Sequence, residues 1–242
     1  MYKQNGCKWI SVITLLSIAT ALPAEVVDLD YGVFQIALDC DRRGAVQFQY
    51  TTVPDTGNND RSSTFFIDSD VEARCQQTST STYTGTTIPY QRGHLVPANH
   101  FDHDPNLIRQ TNVITNVLPQ TRTLNNGAWK RTEMIIECLR DTETLTVIGG
   151  VIWGSDTNDD HFVSTHGVTT PSAYWKVIVM GESAIGWIMP NNEEARWSRL
   201  DDYIVAPTVI ESVIDRTLNI QEELKSHRPW RSWGIRGGCN RG

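Results

Sequence analysis

Gln91-Arg92-Gly93-His94-Leu95-Val96-Pro97-Ala98-Asn99, Thr115-Asn116-Val117-Leu118-Pro119-Gln120 and Leu124-Asn125-Asn126-Gly127-Ala128-Trp129-Lys130-Arg131-Thr132-Glu133 follow one another within a short stretch of the chain. His94 comes after a glycine, beside Arg92, and reads as the start of a strand. Asn125 reads as the start of a helix. Glu133 lies eight residues further on, roughly 80° around an ideal helix and two turns down the same side. A neutral imidazole can take a proton from water near neutral pH. Asn and Glu oxygens suit a hard cation that keeps several of its waters. An Arg fork suits phosphate oxygens. Each residue has an ordinary structural use on its own; together they describe metal-assisted hydrolysis of a phosphodiester.

The flanking sequence frames this segment with strands. Val33 to Leu38 and Ala45 to Val53 read as strands, with Val46, Phe48 and Tyr50 on one face of the second. The polar stretches Thr51 to Thr64 and Gln76 to Thr87 read as loops. Leu95 to Pro97 and Asn112 to Leu118 are short strand candidates. Leu124 to Arg140 reads as a helix beginning at Asn125 or Asn126. Leu145 to Trp153 is an apolar strand, Trp175 to Met180 and Ala184 to Met189 form a hairpin, and Thr208 to Thr217 is a second helix. Strands outnumber helices and are mixed with them. The expected class is α+β, a largely antiparallel central sheet flanked by helices.

The segments RGHLVPA, TNVLPQ and LNNGAWKRTE resemble the DNA/RNA non-specific endonucleases, the sugar-nonspecific nucleases of the ββα-metal class. VIGGVIWG, SAYWKVIV, AIGWIMPN and YIVAPTVIE agree, so the resemblance spans about Tyr31 to Ile214. It implies a ββα-metal motif in which His94 is the general base, with Arg92 close to the phosphate. Asn125 is the one protein ligand of the metal, Glu133 orders metal-bound waters, and Asn116 supports the active-site geometry. It also implies an upstream Arg, for which Arg43 or Arg42 is a loose match. The metal is expected to be Mg²⁺, with Mn²⁺ as a substitute. The substrates are expected to be DNA and RNA, cut internally to 5′-phosphate ends, and a homodimer is compatible because the family includes dimers. Arg122, Lys130 and Arg131 are candidate substrate-binding cations. Gln91 departs from the family, which usually has Asp there, and Asn99 replaces a small residue. Both changes spare His94, Asn125 and Glu133, so an active enzyme is expected. A nucleic-acid-binding relative without catalysis and a hydrolase of other phosphate esters are the alternatives.

Composition sets the remaining bounds. The chain has 242 residues, 39% of them hydrophobic and 20% charged, which excludes a disordered or fibrous chain. Its net charge of −7 excludes a general polycation, so contact with nucleic acid must be local. Residues 1–21 read as a signal peptide, with Lys3 and Lys8 ahead of an apolar run and a second cleavage point after Ala24. The expected location is secreted or periplasmic, without stable membrane association after cleavage, and residues 22–242 form one domain. Cys40, Cys75, Cys138 and Cys239 remain, an even number that suits two disulfides. Of three pairings, Cys40–Cys75 and Cys138–Cys239 is favoured, because the first is close in sequence and the second ties down the tail. The cluster His100, Asp102, His103 and Asp104 reads as a solvated loop. From about residue 225 the tail is basic, with Trp230 and Trp233 among its cations. It reads as a solvated strap, although basic plus aromatic composition also suits nucleic-acid contact.

Overall fold

In the computed structural model, which describes residues 25–237 and 239, nine strands follow one another along the chain. They are β1 (Val26–Asp30), β2 (Phe34–Asp39), β3 (Gly44–Thr51), β4 (Tyr90–His94), β5 (Val117–Thr121), β6 (Leu145–Trp153), β7 (Pro171–Met180), β8 (Ser183–Pro190) and β9 (Ile204–Val205). Seven of them make one antiparallel sheet in the order β1-β2-β3-β6-β7-β8-β9. The other two, β4 and β5, pair only with each other. The large sheet is therefore a meander, and everything between β3 and β6 is an insertion laid on one of its faces. The fold is α+β, as expected.

The centre of the sheet is buried on both faces, which is why β6 and β7 read as nearly continuous apolar runs. Tyr174 and Ile178 of β7 face the insertion, with Phe48 and Tyr50 of β3. Trp175 and Val177 face the other way, toward Ile210 and Leu218. Ile210 belongs to α5 (Pro207–Ile214), the last of five α-helical segments after α1 (Pro105–Gln110), α2 (Arg122–Leu124), α3 (Lys130–Leu139) and α4 (Val163–His166). A five-residue π turn, Asn125–Trp129, joins α2 to α3. Trp129 closes it by packing edge-on against Tyr174 and Phe48, with ring centroids 5.5 and 6.3 Å apart. Ile135, Ile136 and Leu139 continue that apolar face along α3.

Three expected elements differ. His94 ends β4 rather than starting a strand. Leu95 to Pro97 is no strand because the Asn116 side chain takes the place of a neighbouring strand: Val96 N donates to Asn116 Oδ1 (2.9 Å), and Asn116 Nδ2 donates to Val96 O (2.9 Å) and Thr111 O (2.8 Å). Ile114–Asn116 consequently forms a 3₁₀ turn, and β5 begins only at Val117. The helix begins at Arg122, where Thr121 Oγ1 accepts from Leu124 N, so Asn125 lies within the helical segment rather than at its start.

Both favoured disulfides are present, Cys40–Cys75 and Cys138–Cys239. The second fastens the tail to α3. The expected signal peptide, residues 1–21, lies outside the described residues. Among those described, no helix is long and apolar enough to cross a membrane.

Candidate active site

A cavity of about 420 Å³ opens between β4, the loop before it and α3. Arg61, Arg92, His94, Asn125, Lys130 and Glu133 line it. His94, Arg92, Asn125 and Glu133 were all expected there. Asn116 is fully buried behind it and braces the chain just after His94, a supporting position.

His94 is fixed at both ring nitrogens. Nε2 lies 2.8 Å from Asn112 Oδ1, and Arg61 Nη2 lies 3.0 Å from Nδ1. A guanidinium can only donate, so Nδ1 is the unprotonated nitrogen and Nε2 carries the hydrogen. Asn112 cannot turn to reverse this, because its Nδ2 donates to Ser62 O (2.8 Å) and Thr64 O (3.1 Å). Burial, reinforced by the Arg61 and Arg92 charges and opposed by the Asn112 bond, pushes His94 down to about 3. The imidazole is therefore neutral at physiological pH, with its Nδ1 lone pair on the side of Arg61 and the cavity. Trp129 Nε1 donates to His94 O at 3.0 Å and ties the π turn to the end of β4. Arg92 lies over the Phe65 ring, 4.0 Å from its centroid, and donates to Thr80 O.

Asn125 is held as firmly. Its Nδ2 donates to Gln91 Oε1 at 2.7 Å. With the amide nitrogen committed, the side-chain oxygen is the end left to face the cavity. Gln91 thus supplies an acceptor where the family usually has Asp. The π turn that carries Asn125 depends on Gly127, whose backbone (φ −110°, ψ −109°) departs from the helix. A Cβ there would sit 2.6 Å from Ala195 O, and the neighbouring Ala128 N donates to that same carbonyl. Single π turns of this kind are frequent at functional sites.

Glu133 shares the cavity with Asn125. Burial raises its pKa, against the opposing charges of Lys176, Arg61 and Lys130. Lys176 is fully buried in β7, donates from Nζ to Thr132 Oγ1 (2.9 Å) and lies 3.6 Å from the Trp129 ring centroid. Burial brings this lysine down to about 8, and the Glu133 charge works against that fall.

Below the cavity, the expectation of a solvated loop at His100 and Asp102 fails. Both are buried. They belong to a cluster around Arg140, which donates to Glu137 Oε1 (2.7 Å) and His100 O (3.0 Å) and lies 3.0 Å from Asp55 and 3.7 Å from Asp102. One buried guanidinium makes this burial tolerable. Burial still pushes Glu137 up to about 7, with Asp55 adding to the rise.

The substrate-binding candidates divide. Lys130 lines the cavity. Arg122 is exposed but does not line it, and Arg131 is turned to Trp197 O (3.1 Å) and Asp201 (3.7 Å). Arg43 is misplaced: it occupies the tight turn between β2 and β3 with φ 53°, its side chain against Gly167. The upstream arginine at the site is Arg61. Nothing in its polar, turn-rich surroundings marks it in the sequence; Asn112 opens a strand candidate without a distinguishing pattern, and the one signal for Lys176 is a lone charge within an apolar strand.

The residues present fit a divalent cation. The side-chain oxygen of Asn125 and the Glu133 carboxylate are hard donors from two residues that line the same cavity. Among the described residues, no group of three or more His, Cys, Asp or Glu could hold a metal ion.

Comparison with known proteins gives a consistent picture. A family model described as DNA/RNA non-specific endonuclease matches residues 14–227. The mouse mitochondrial nuclease EXOG is 26% identical over 133 residues, covering 48% of this chain and 36% of that protein. The human mitochondrial nuclease EXOG is 24% identical over 156 residues, covering 54% of this chain and 42% of that protein. The chain therefore spans under half the length of these curated relatives. Among solved structures, the crystal structure of an EndoG/EndoGI complex, described as showing the mechanism of EndoG inhibition, superposes with a TM-score of 0.64 at 19% identity. It covers 79% of this chain and 84% of the matched chain. That likeness supports the fold.

Proposed function

Because the chain belongs to the DNA/RNA non-specific endonuclease family, we propose that it is an exported, Mg²⁺-dependent endonuclease. It hydrolyses phosphodiester bonds in DNA and RNA, with little sequence preference, to 5′-phosphate ends. The observation that carries this reading is the cavity wall on which a neutral His94 with its lone pair on Nδ1 lies beside the oxygen of Asn125 and the carboxylate of Glu133.

Asn125, with Glu133 acting through water, would hold a divalent cation, which would supply charge stabilisation to the phosphate and the leaving oxygen. His94 Nδ1 takes a proton from the attacking water as its oxygen bonds to phosphorus. The phosphorus–O3′ bond breaks, and the departing 3′-oxyanion takes a proton from solvent water to become a 3′-hydroxyl. Arg61 is placed to donate to Nδ1 before substrate enters and to a phosphate oxygen afterward. The phosphate's negative charge then offsets the Arg61 and Arg92 charges that add to the fall imposed by burial, and the basicity of His94 rises. Asn112 keeps Nε2–H in place throughout, so the proton is taken at one nitrogen. Glu133 orients water, with Lys176 beneath it fixing the carboxylate's surroundings. Gln91 keeps Asn125 turned correctly, and this supports a competent site despite the missing Asp.

Export is supported by two disulfides that engage all four cysteines of residues 25–242. The test is to incubate the oxidised chain with double-stranded DNA, single-stranded DNA and RNA in Mg²⁺, Mn²⁺ or EDTA, and to analyse product ends. Internal cleavage of all three polymers in metal, with 5′-phosphate ends and none in EDTA, is expected. Turnover only of small phosphate esters would overturn the substrate reading.

A further inference from the structure

Trp129, Trp175 and Trp187 are wholly buried, whereas Trp230 is 80% exposed. Such exposure of the largest apolar side chain calls for a reason. The Trp230 ring is not on a loose thread. Arg228 Nε donates to Ile204 O (3.2 Å), Ser232 N donates to Asp201 Oδ1 (3.0 Å), and Trp187 Nε1 donates to Ser232 Oγ (3.2 Å). These bonds tie the chain down on both sides of the ring, through the Arg228 side chain before it and the Ser232 amide and hydroxyl after it. Arg231 lies with its guanidinium 4.5 Å from the ring centroid.

The position is connected to the catalytic cavity. Asp201, which holds Ser232, also meets Arg131 at 3.7 Å, and Arg131 adjoins Lys130 on the cavity wall. The Cys138–Cys239 bridge joins the same tail to α3, the helix that carries Glu133. In sequence, the last eighteen residues contain Lys225, Arg228, Arg231, Arg236 and Arg241 and no acid, in a chain of net charge −7; Lys225 is paired with Glu211 and Glu222 at 3.0 Å each, whereas Arg228, Arg231 and Arg236 are exposed.

We propose that Trp230 and Arg231 form a platform on which an unpaired base of a polynucleotide strand stacks, outside the catalytic cavity, while that strand's backbone runs along the exposed Arg228 and Arg236 toward Lys130. The occupant follows from the chemistry. An exposed indole backed by a guanidinium presents a flat face to any base, and the neighbouring cations suit its phosphates. Paired bases hide their faces within the duplex, so the platform favours single strands and frayed ends. The proposal rests on the nuclease reading for its substrate, but its test does not depend on cleavage.

The test measures binding of a fluorescein-labelled oligothymidylate to the full oxidised chain in EDTA. Trp230→Ala is expected to weaken binding by about 5- to 150-fold, the range for one stacked base. Trp230→Phe is expected to recover most of it. An abasic strand of equal length is expected to bind wild type and Trp230→Ala alike. Unchanged oligothymidylate binding by Trp230→Ala overturns the platform, and so does a wild type that binds no oligonucleotide. Loss of self-association in sedimentation, with oligonucleotide binding unchanged, would assign this face to a second copy of the chain and also overturn it. A wild type that cleaves nothing in any divalent metal, yet loses oligothymidylate binding on Trp230→Ala, refutes the nuclease reading and leaves the platform standing.

Discussion

Replacing Gln91 by Ala removes the acceptor that holds the Asn125 amide at 2.7 Å. The bond joins two neutral groups, so its net worth is about 0.5–1.5 kcal/mol. At RT of about 0.59 kcal/mol, a central value of 1 kcal/mol is a factor of about 5 in the population of Asn125 whose oxygen faces the cavity. If that oxygen holds the cation, as proposed, the metal concentration giving half-maximal cleavage should rise by the same factor. The rate at saturating metal should approach wild type, since metal binding selects the correct rotamer. Gln91→Glu keeps an acceptor at the same reach and adds the negative charge usual in the family. It should move the half-saturating concentration below the wild-type value. The assay is initial rate of plasmid cleavage against Mg²⁺ concentration for the three proteins. An unchanged metal requirement in Gln91→Ala, or Gln91→Glu weakened as much as Gln91→Ala, would refute the orienting role.

Further expectations follow from the same geometry. The acid limb of activity should lie above the ordinary glutamate range, where Glu133, its carboxyl raised by burial, takes up a proton, and well above the value of about 3 for His94. Arg61 lowers both groups, so Arg61→Met should move that limb upward in a pH–rate profile and reduce kcat/KM by on the order of 10²-fold, the cost of one lost transition-state donor. Arg43→Ala, remote from the cavity, should leave kcat/KM unchanged in the same assay. Gly127→Ala forces a Cβ toward Ala195 O; it should cost about 1–3 kcal/mol in denaturant unfolding and raise the metal requirement as Asn125 is displaced. The double variant Cys138→Ser, Cys239→Ser should lower stability by about 2–5 kcal/mol, because the bridge closes a long loop, measured as a fall in Tm under non-reducing conditions.

The parts of the site readable in the sequence are those whose roles are local. His94, Asn125 and Glu133 sit in short segments, and one insertion between β3 and β6 brings these together. The apolar runs of β6, β7 and β8 were legible because the buried sheet imposes their composition. Arg61, Asn112 and Lys176 were not. Arg61 sits in an irregular loop anchored beside His94 by residues distant in sequence, Asn112 through Ser62 and Thr64 and Asp102 through Asn59, and Lys176 reaches Trp129 and Thr132 from a strand far along the chain. Arg43 matched the expected type and sequence region, but a tight turn directs it to Gly167 instead. His100 and Asp102 lie in a polar stretch, and polar sequence normally means solvent; Arg140, some forty residues on, makes their burial tolerable. The helix start shifted because Thr121, rather than either Asn, caps it.

The most direct test of the central claim compares wild type, His94→Ala and Asn125→Ala, as oxidised mature chains of matched circular dichroism, on supercoiled plasmid with Mg²⁺ and with EDTA. Nicking and degradation by wild type in Mg²⁺ alone, reduced to background in both variants, is the expected result. Cleavage that persists in His94→Ala, or a folded wild type that cuts in EDTA as it does in Mg²⁺, would contradict it.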